Sequence, residues 1–281
     1  MSATSPTTTG RGAGHASWRV VALLLGALVM LFPLYWMLVT ALSGQSAVTG
    51  GPLRAWPEDP TLDGFRRANE ALPFGTFYLN SVLIAVVAMA LSVSLNLLAG
   101  YVLAKYRFRG RQTVFVLILS TLMIPVQVVM VPQFQLVAEL GWVDSYWAVI
   151  VPRAAEAFGI FLCRQFMLGL PDEIIEAARV DGAGHVRVFW TIVLPLCRPL
   201  IAVLVILTFM YRWNEFAWPL IVLNDQSLFT VPIGLAFLQG QYSTDYPALM
   251  GMALFSALPI LAVFALFQRQ FVQGMARSGL R

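Results

Sequence analysis

The sequence predicts an all-α, polytopic membrane protein with six transmembrane helices and both termini in the cytoplasm. Three observations predict it. Of the 281 residues, 59% are apolar and only 11% are charged, against about a quarter charged in soluble domains. Apolar runs long enough to cross a bilayer recur six times. The basic residues fall on alternate connections between those runs.

The runs lie at 20–42, 77–104, 113–138, 146–168, 199–223 and 246–267. The first follows Arg11 and Arg19, as a signal peptide would. It is longer than one, however, and Phe32, Tyr35, Trp36 and Met37 occupy the place of a small-residue cleavage site, so it is read as a retained span. Arg11 and Arg19, then Lys105, Arg107, Arg109 and Arg111, then Arg179, Arg187 and Arg198, then Arg269, Arg277 and Arg281 share one side. The other side has Arg54, Arg66 and Arg67 among Glu58, Asp59, Asp63 and Glu70, and its connections around Asp144, Asp225 and Asp245 carry no basic residue. The bias makes the first side cytoplasmic. Trp18, Trp142, Trp147, Trp213 and Trp218 sit near run ends, where interfacial anchors belong.

The expected partition is a disordered tail at 1–17, a first span at 18–42, an external loop at 43–76 with a short helix near 62–71, a five-helix core at 77–274 and a tail at 275–281. The net charge of +4 is too mild and too dispersed for nucleic acid. Cys163 and Cys197 stand apart in apolar segments and read as buried thiols. His15 and His185 lie in polar segments, so neither a metal site nor a Ser/His/Asp or Cys/His catalytic set is expected.

One cytoplasmic segment, 170–198, does not suit a plain bundle. Pro171 fits a first helical position, Asp172 and Glu173 complement the positive end of the helix dipole, and Gly182 fits the stop. A second short helix is expected at 183–193, ending before Pro195. Helices this short are marginal alone. Ile174, Ile175, Ala178 and Val180 form a small apolar surface, and nothing else on that side looks large enough to cover it. A partner protein is the reading, with an amphipathic loop on the membrane as the alternative.

The spacing Glu176-Ala177-Ala178, three residues, Gly182, nine residues, Ile192-x-Leu194-Pro195 resembles the EAA loop of ABC importer permeases at every defined position. Asn80-Ser81, Arg107-Phe-Arg-Gly110, Met123-Ile-Pro-x-Gln127, Arg164-Gln165-Phe166, Trp213-Asn-Glu-Phe216, the stretch 239–245 and the closing Gln268-Arg-x-Phe-Val-Gln-Gly274 resemble the maltose-type sugar permeases, most closely the smaller of their two permeases. The resemblance implies a type I importer permease fold and an inward sugar path. It implies as partners a second homologous permease, two ABC ATPases and an extracytoplasmic binding protein. Glu176, Ala177, Ala178, Asp181 and Gly182 would be the docking residues. Gln239, Gln241 and Tyr242 would reach toward the binding protein.

ATP and magnesium are expected on the partner ATPases, because a phosphate-binding loop needs Gly-Lys-Ser/Thr and the one lysine, Lys105, lies between Ala104 and Tyr106. Hydrogen-bonding and aromatic groups suit sugars, so Gln127, Tyr211, Trp213, Asn214 and Trp218 are candidates for the path; interhelical hydrogen bonding explains them equally well. Arg153 with Glu156, and Arg212 with Glu215, are three apart and read as salt bridges along one helix or as groups shaping the path. Pro125, Pro132, Pro219 and Pro259 are expected to kink spans. A non-sugar importer, an ATP-independent secondary transporter and a membrane enzyme are the rival classes. Secondary transport would bring mid-span ionisable groups and inverted repeats.

Overall fold

The computed structural model describes residues 13–50, 54–240 and 244–278. Among them the regular structure is helical throughout: α1 (Ala13–Ala41), α2 (Gln45–Gly50), α3 (Asp63–Ala71), α4 (Phe74–Lys105), α5 (Arg111–Ser120), α6 (Val126–Glu139), α7 (Tyr146–Ile150), α8 (Ala157–Leu168), α9 (Asp172–Val180), α10 (His185–Val188), α11 (Leu194–Leu196), α12 (Arg198–Trp213), α13 (Ala217–Val222), α14 (Val231–Leu238) and α15 (Tyr246–Ser278). Three stretches are single helices apolar and long enough to cross a membrane: 18–41, Phe74–Lys105 and 246–269. The other three expected spans are broken.

The break directions are large. Arg111–Met123 and Val126–Glu139 meet at 104°, Tyr146–Arg153 and Ala157–Leu168 at 43°, and His185–Leu196 and Arg198–Trp213 at 78°. Counting each bent pair once gives up to six spans. The run at 113–138 bends at Pro125, where a kink is expected, and Pro125 divides it into two helices. Ile124 is extended before Pro125 (φ −88°, ψ 118°), as a residue preceding proline prefers. The run at 199–223 is likewise divided: α12 ends at Trp213 and α13 begins at Ala217. Pro132 and Pro259 do not interrupt their helices.

The chain forms two compact units, 1–68 with 241–255 and 69–240 with 256–281. In the first, α3 is fastened to the head of α15. Arg67 donates from Nε and Nη2 to the Asp245 carboxylate at 2.6 and 3.1 Å. Asp245 in turn accepts from the Ala248 N–H at 3.1 Å, capping α15. These bonds, Arg67's first among them, hold the Asp245 carboxyl below the usual carboxylate range. Gly251 faces the Phe65 ring, which meets Phe255 edge-on at 5.5 Å. The short helix expected near 62–71 is α3.

The second unit is built around α4. Asn80 near its N-terminal end donates to the Ser227 and Phe229 carbonyls at 2.8 and 3.0 Å and accepts from Tyr146 Oη at 2.8 Å. Ser81 Oγ accepts from the Val231 N–H at 2.8 Å. Farther along, α8 lies against α4 so closely that only glycine fits at two places. A Cβ on Gly100 would overlap the Cys163 side chain, and one on Gly159 would overlap the Asn96 amide. Small residues permit such contact between membrane helices, where packing replaces the hydrophobic drive. Arg164 extends this seam, donating to the Leu103 carbonyl at 3.2 Å with its guanidinium 4.0 Å from the Phe115 ring centre. Cys163 and Cys197 are both buried free thiols.

Gly100→Ala should therefore destabilise the protein by about 1–3 kcal/mol through overpacking. Gly26→Ala in α1, where an added Cβ meets open space, should not lower stability. Thermal unfolding of the detergent-solubilised chain compares the two; equal melting temperatures would refute the tight seam.

Candidate functional site

The segment from Leu170 to Leu196 follows α8 and leads into α12. Helix α9 forms where the acidic Asp172 and Glu173 and the basic Arg179 complement its dipole. It stops at Gly182, whose φ of +83° is a conformation that favours glycine. The Ala183 N–H donates to the Ala178 carbonyl at 2.9 Å, closing the turn. The next helical stretch runs past its expected end. Residues Phe189–Val193 form a π turn, with the Leu194 N–H bonding the Phe189 carbonyl. A proline lacks the N–H of an α-helical bond and clashes with the carbonyl four residues back. The wider turn before Pro195 accommodates this, so the helix continues to Leu196.

The two faces of the segment differ. Ile175, Val188, Phe189 and Val193 are buried in one apolar cluster with Leu97, Tyr101, Met167 and Leu204, and Ala178 packs at its edge. Ile174, Glu176, Ala177, Asp181 and Gly182 are exposed, as are Val186 and Val180, the last at 87%. Of the five expected docking residues, four thus point outward and Ala178 is half-buried. The expectation that nothing in this chain covers the segment is corrected: α4, α8 and α12 together cover its inner face, and the last turn of α4 grips it most closely.

That turn holds both helices of the segment. Lys105, whose side chain is only 5% exposed, donates from Nζ to the Leu170 carbonyl at 2.7 Å and to Asp172 Oδ1 at 2.6 Å. The bond holds the Asp172 carboxyl below the usual carboxylate range. Tyr101 meets Phe189 at 5.1 Å and Tyr106 at 5.5 Å, and Tyr106 meets His185 at 5.2 Å. Lys105 was legible in the sequence only as a cytoplasmic charge. Its being the single lysine of the chain was the available signal.

The residues expected along a path do not gather in one place. Trp213 is 1% exposed, stacks on Phe209 at 5.7 Å, meets Tyr78 at 5.5 Å and donates to the Ser256 carbonyl at 2.9 Å. Trp218 is equally buried and donates to the Ala148 carbonyl at 2.9 Å. Both are core residues in this conformation and offer no open surface. Asn214 is exposed, and its amide bonds the Met210 carbonyl at 2.8 Å at the end of α12. Gln127 is exposed at the start of α6, and Tyr211 is exposed beneath Arg153, which donates to its hydroxyl. Gln239 is exposed at the end of α14. Gln241 and Tyr242 lie outside the described residues.

Residues 96–277 match the model of the family described as binding-protein-dependent transport system inner membrane component. The chain is 38% identical over 258 residues to the arabinooligosaccharides transport system permease protein AraQ of Halalkalibacterium halodurans, covering 91% of this chain and 92% of that one. It is 36% identical over 266 residues to the sn-glycerol-3-phosphate transport system permease protein UgpE of Yersinia enterocolitica, covering 92% and 95%. Its fold matches a chain in the crystal structure of a bacterial ABC transporter involved in the import of the acidic polysaccharide alginate, with a TM-score of 0.82 and 23% identity over 95% of this chain and all of that one. The chain belongs to the binding-protein-dependent transport system inner membrane components, the multi-pass permeases of ABC importers in the bacterial cytoplasmic membrane.

Proposed function

We propose that this chain is one of two homologous permease subunits importing a sugar or sugar derivative, driven by ATP hydrolysis on two separate ATPase subunits that hold the nucleotide and its magnesium. An extracytoplasmic binding protein delivers the solute, and both termini of this chain lie in the cytoplasm. The observation that carries the reading is the two-faced segment at 170–196. Its inner face is seated on α4, while its outer face exposes Ile174, Val180 and Val186 beside the polar Glu176 and Asp181. Exposed apolar groups rimmed by charge mark a protein-docking surface. Relatives of comparable identity serve arabinooligosaccharides in one case and sn-glycerol 3-phosphate in the other. The cargo class is accordingly sugars and polyol phosphates, not one compound.

A reconstituted complex of this permease, its partner permease, the ATPases and the binding protein tests the reading. Hydrolysis should rise when the binding protein carries a sugar or sugar phosphate; stimulation by amino acids or peptides instead would sink it. Gly182→Val places a β-branched side chain in a left-handed conformation, costing about 1–2 kcal/mol in backbone strain. It should abolish ATPase co-purification while the permease remains in the membrane. Normal co-purification would remove Gly182 from the docking surface.

Lys105→Met should release the first turn of α9 and raise amide hydrogen exchange across 172–180, with Lys105→Arg intermediate. The depressed pKa of Asp172 means its contribution is complete above the ordinary carboxylate value and lost as pH falls through the lower, bound one. Exchange across that turn should therefore stay slow down to about pH 4, near the unperturbed value for aspartate. Exchange that rises already at pH 5 would contradict the contact.

A further inference from the structure

Two breaks lie in the membrane-spanning part of the second unit, at 154–156 between α7 and α8 and at 214–216 between α12 and α13. Four charged side chains stand at them. Arg153 ends the short 3-10 turn after α7, and Glu156 is the residue before the first turn of α8. Arg212 is in the last turn of α12, and Glu215 lies within the second break. The expected i,i+3 pairs exist, Arg153–Glu156 at 3.3 Å and Arg212–Glu215 at 3.1 Å, but each lies at a break and not along one continuous helix. The structure adds two pairs between the breaks: Arg153–Glu215 at 3.2 Å and Arg212–Glu156 at 3.4 Å. The result is a closed ring of alternating sign and zero net charge. The Arg212 side chain is 1% exposed and that of Glu215 8%.

Each charge also suits the helix end beside it. A basic group at a helix C-terminus and an acidic one at an N-terminus oppose the dipole, an effect enlarged away from water. Arg212 goes further and donates to the Arg153 carbonyl, a group left open where the helix breaks. The Glu156 N–H is taken up by Asn96 Oδ1 of α4 at 3.1 Å. With both guanidiniums matched to both carboxylates, the ring has no net charge to offer a solute, so its role is positional.

The chain path gives that role its meaning. From the ring, α8 descends to the 170–196 segment, and α12 returns from that segment to the ring. We propose that Arg153, Glu156, Arg212 and Glu215 form a charge-neutral joint that closes α8, the docking segment and α12 into one mechanical unit. Displacement of the segment by the ATPases then arrives at the two breaks as a single movement. This rests on the ATPase-docking reading above. Buried ion pairs add little net stability but enforce one geometry, and removing a single member leaves an unmatched charge.

The test uses the full complex in nanodiscs with spin labels at Val186→Cys on the docking segment and at Phe158→Cys in the first turn of α8. Both native residues are exposed, and native Cys163 and Cys197 are fully buried. In the otherwise unaltered chain, ATP with vanadate should change the spectrum of both labels. Arg212→Met with Glu215→Gln keeps the site neutral, because Arg153 still faces Glu156, yet severs both pairs between the breaks. In that variant the response should persist at 186 and be lost at 158. A response retained at both positions overturns the joint. No response at either position in the unaltered chain overturns the docking reading, and the joint with it. Glu215→Gln alone, which leaves one unmatched guanidinium, should lower the yield of assembled complex relative to the double variant; equal yields would contradict the ring's charge balance.

Discussion

The close contact of α8 with the unbroken α4 is the arrangement on which the rest of the second unit depends. Gly100 and Gly159 let the two backbones approach, and Asn96 is thereby brought to the N–H of Glu156. A larger residue at either glycine would lift α8 away from α4 and free that N–H in a region without water to satisfy it. The same helix carries Asn80 and Ser81 toward one end and Tyr101 and Lys105 toward the other. One unbroken element thus holds both the 227–231 connection and the 170–196 segment. The broken spans have a fixed reference against which to be positioned.

Breaking a helix in a membrane exposes carbonyls and amides that lipid cannot satisfy. The break between α7 and α8 is repaired from neighbouring elements. Asn96 serves the start of α8, Trp218 serves the Ala148 carbonyl in α7, and Arg212 serves the carbonyl of Arg153. This accounts for the burial of Asn96, Trp218 and Arg212. Trp213 belongs to the same economy, its indole N–H spent on Ser256. Of the residues expected along a path, Tyr211, Asn214 and Gln127 are the ones that remain uncovered in this conformation.

Much of this was legible in the sequence, and the reasons for the remainder are physical. Runs of apolar residues report burial in lipid, and Pro125 marked where the third run bends; neither reports the angle, so the size of that bend, 104°, was not legible. Gly182 was legible because a helix stop and a positive φ are local demands. Continuation through Pro195 was not, because a π turn is set by the packing of Phe189 and Val193. The tryptophans misled because an indole suits an interface, a sugar face and a core alike. The pairing of Arg153 with Glu215 depends on tertiary contact 62 residues apart, while the i,i+3 spacing advertised only the pairs along each helix.

The seating of the docking segment changes what its short helices mean. Nine residues of helix are too few to persist alone, and the sequence invited the conclusion that a partner completes them. The folded chain meets that need itself, through Ile175 in the apolar cluster, Lys105 at the first turn and the Tyr101–Phe189 and Tyr106–His185 contacts. A partner on the exposed face would therefore meet a surface already ordered, with less of the interaction consumed in fixing loop conformation. A preformed segment also transmits displacement instead of absorbing it. A flexible loop would refold around a moving partner, whereas one held at both helices would pass the movement to the adjoining ends of α8 and α12.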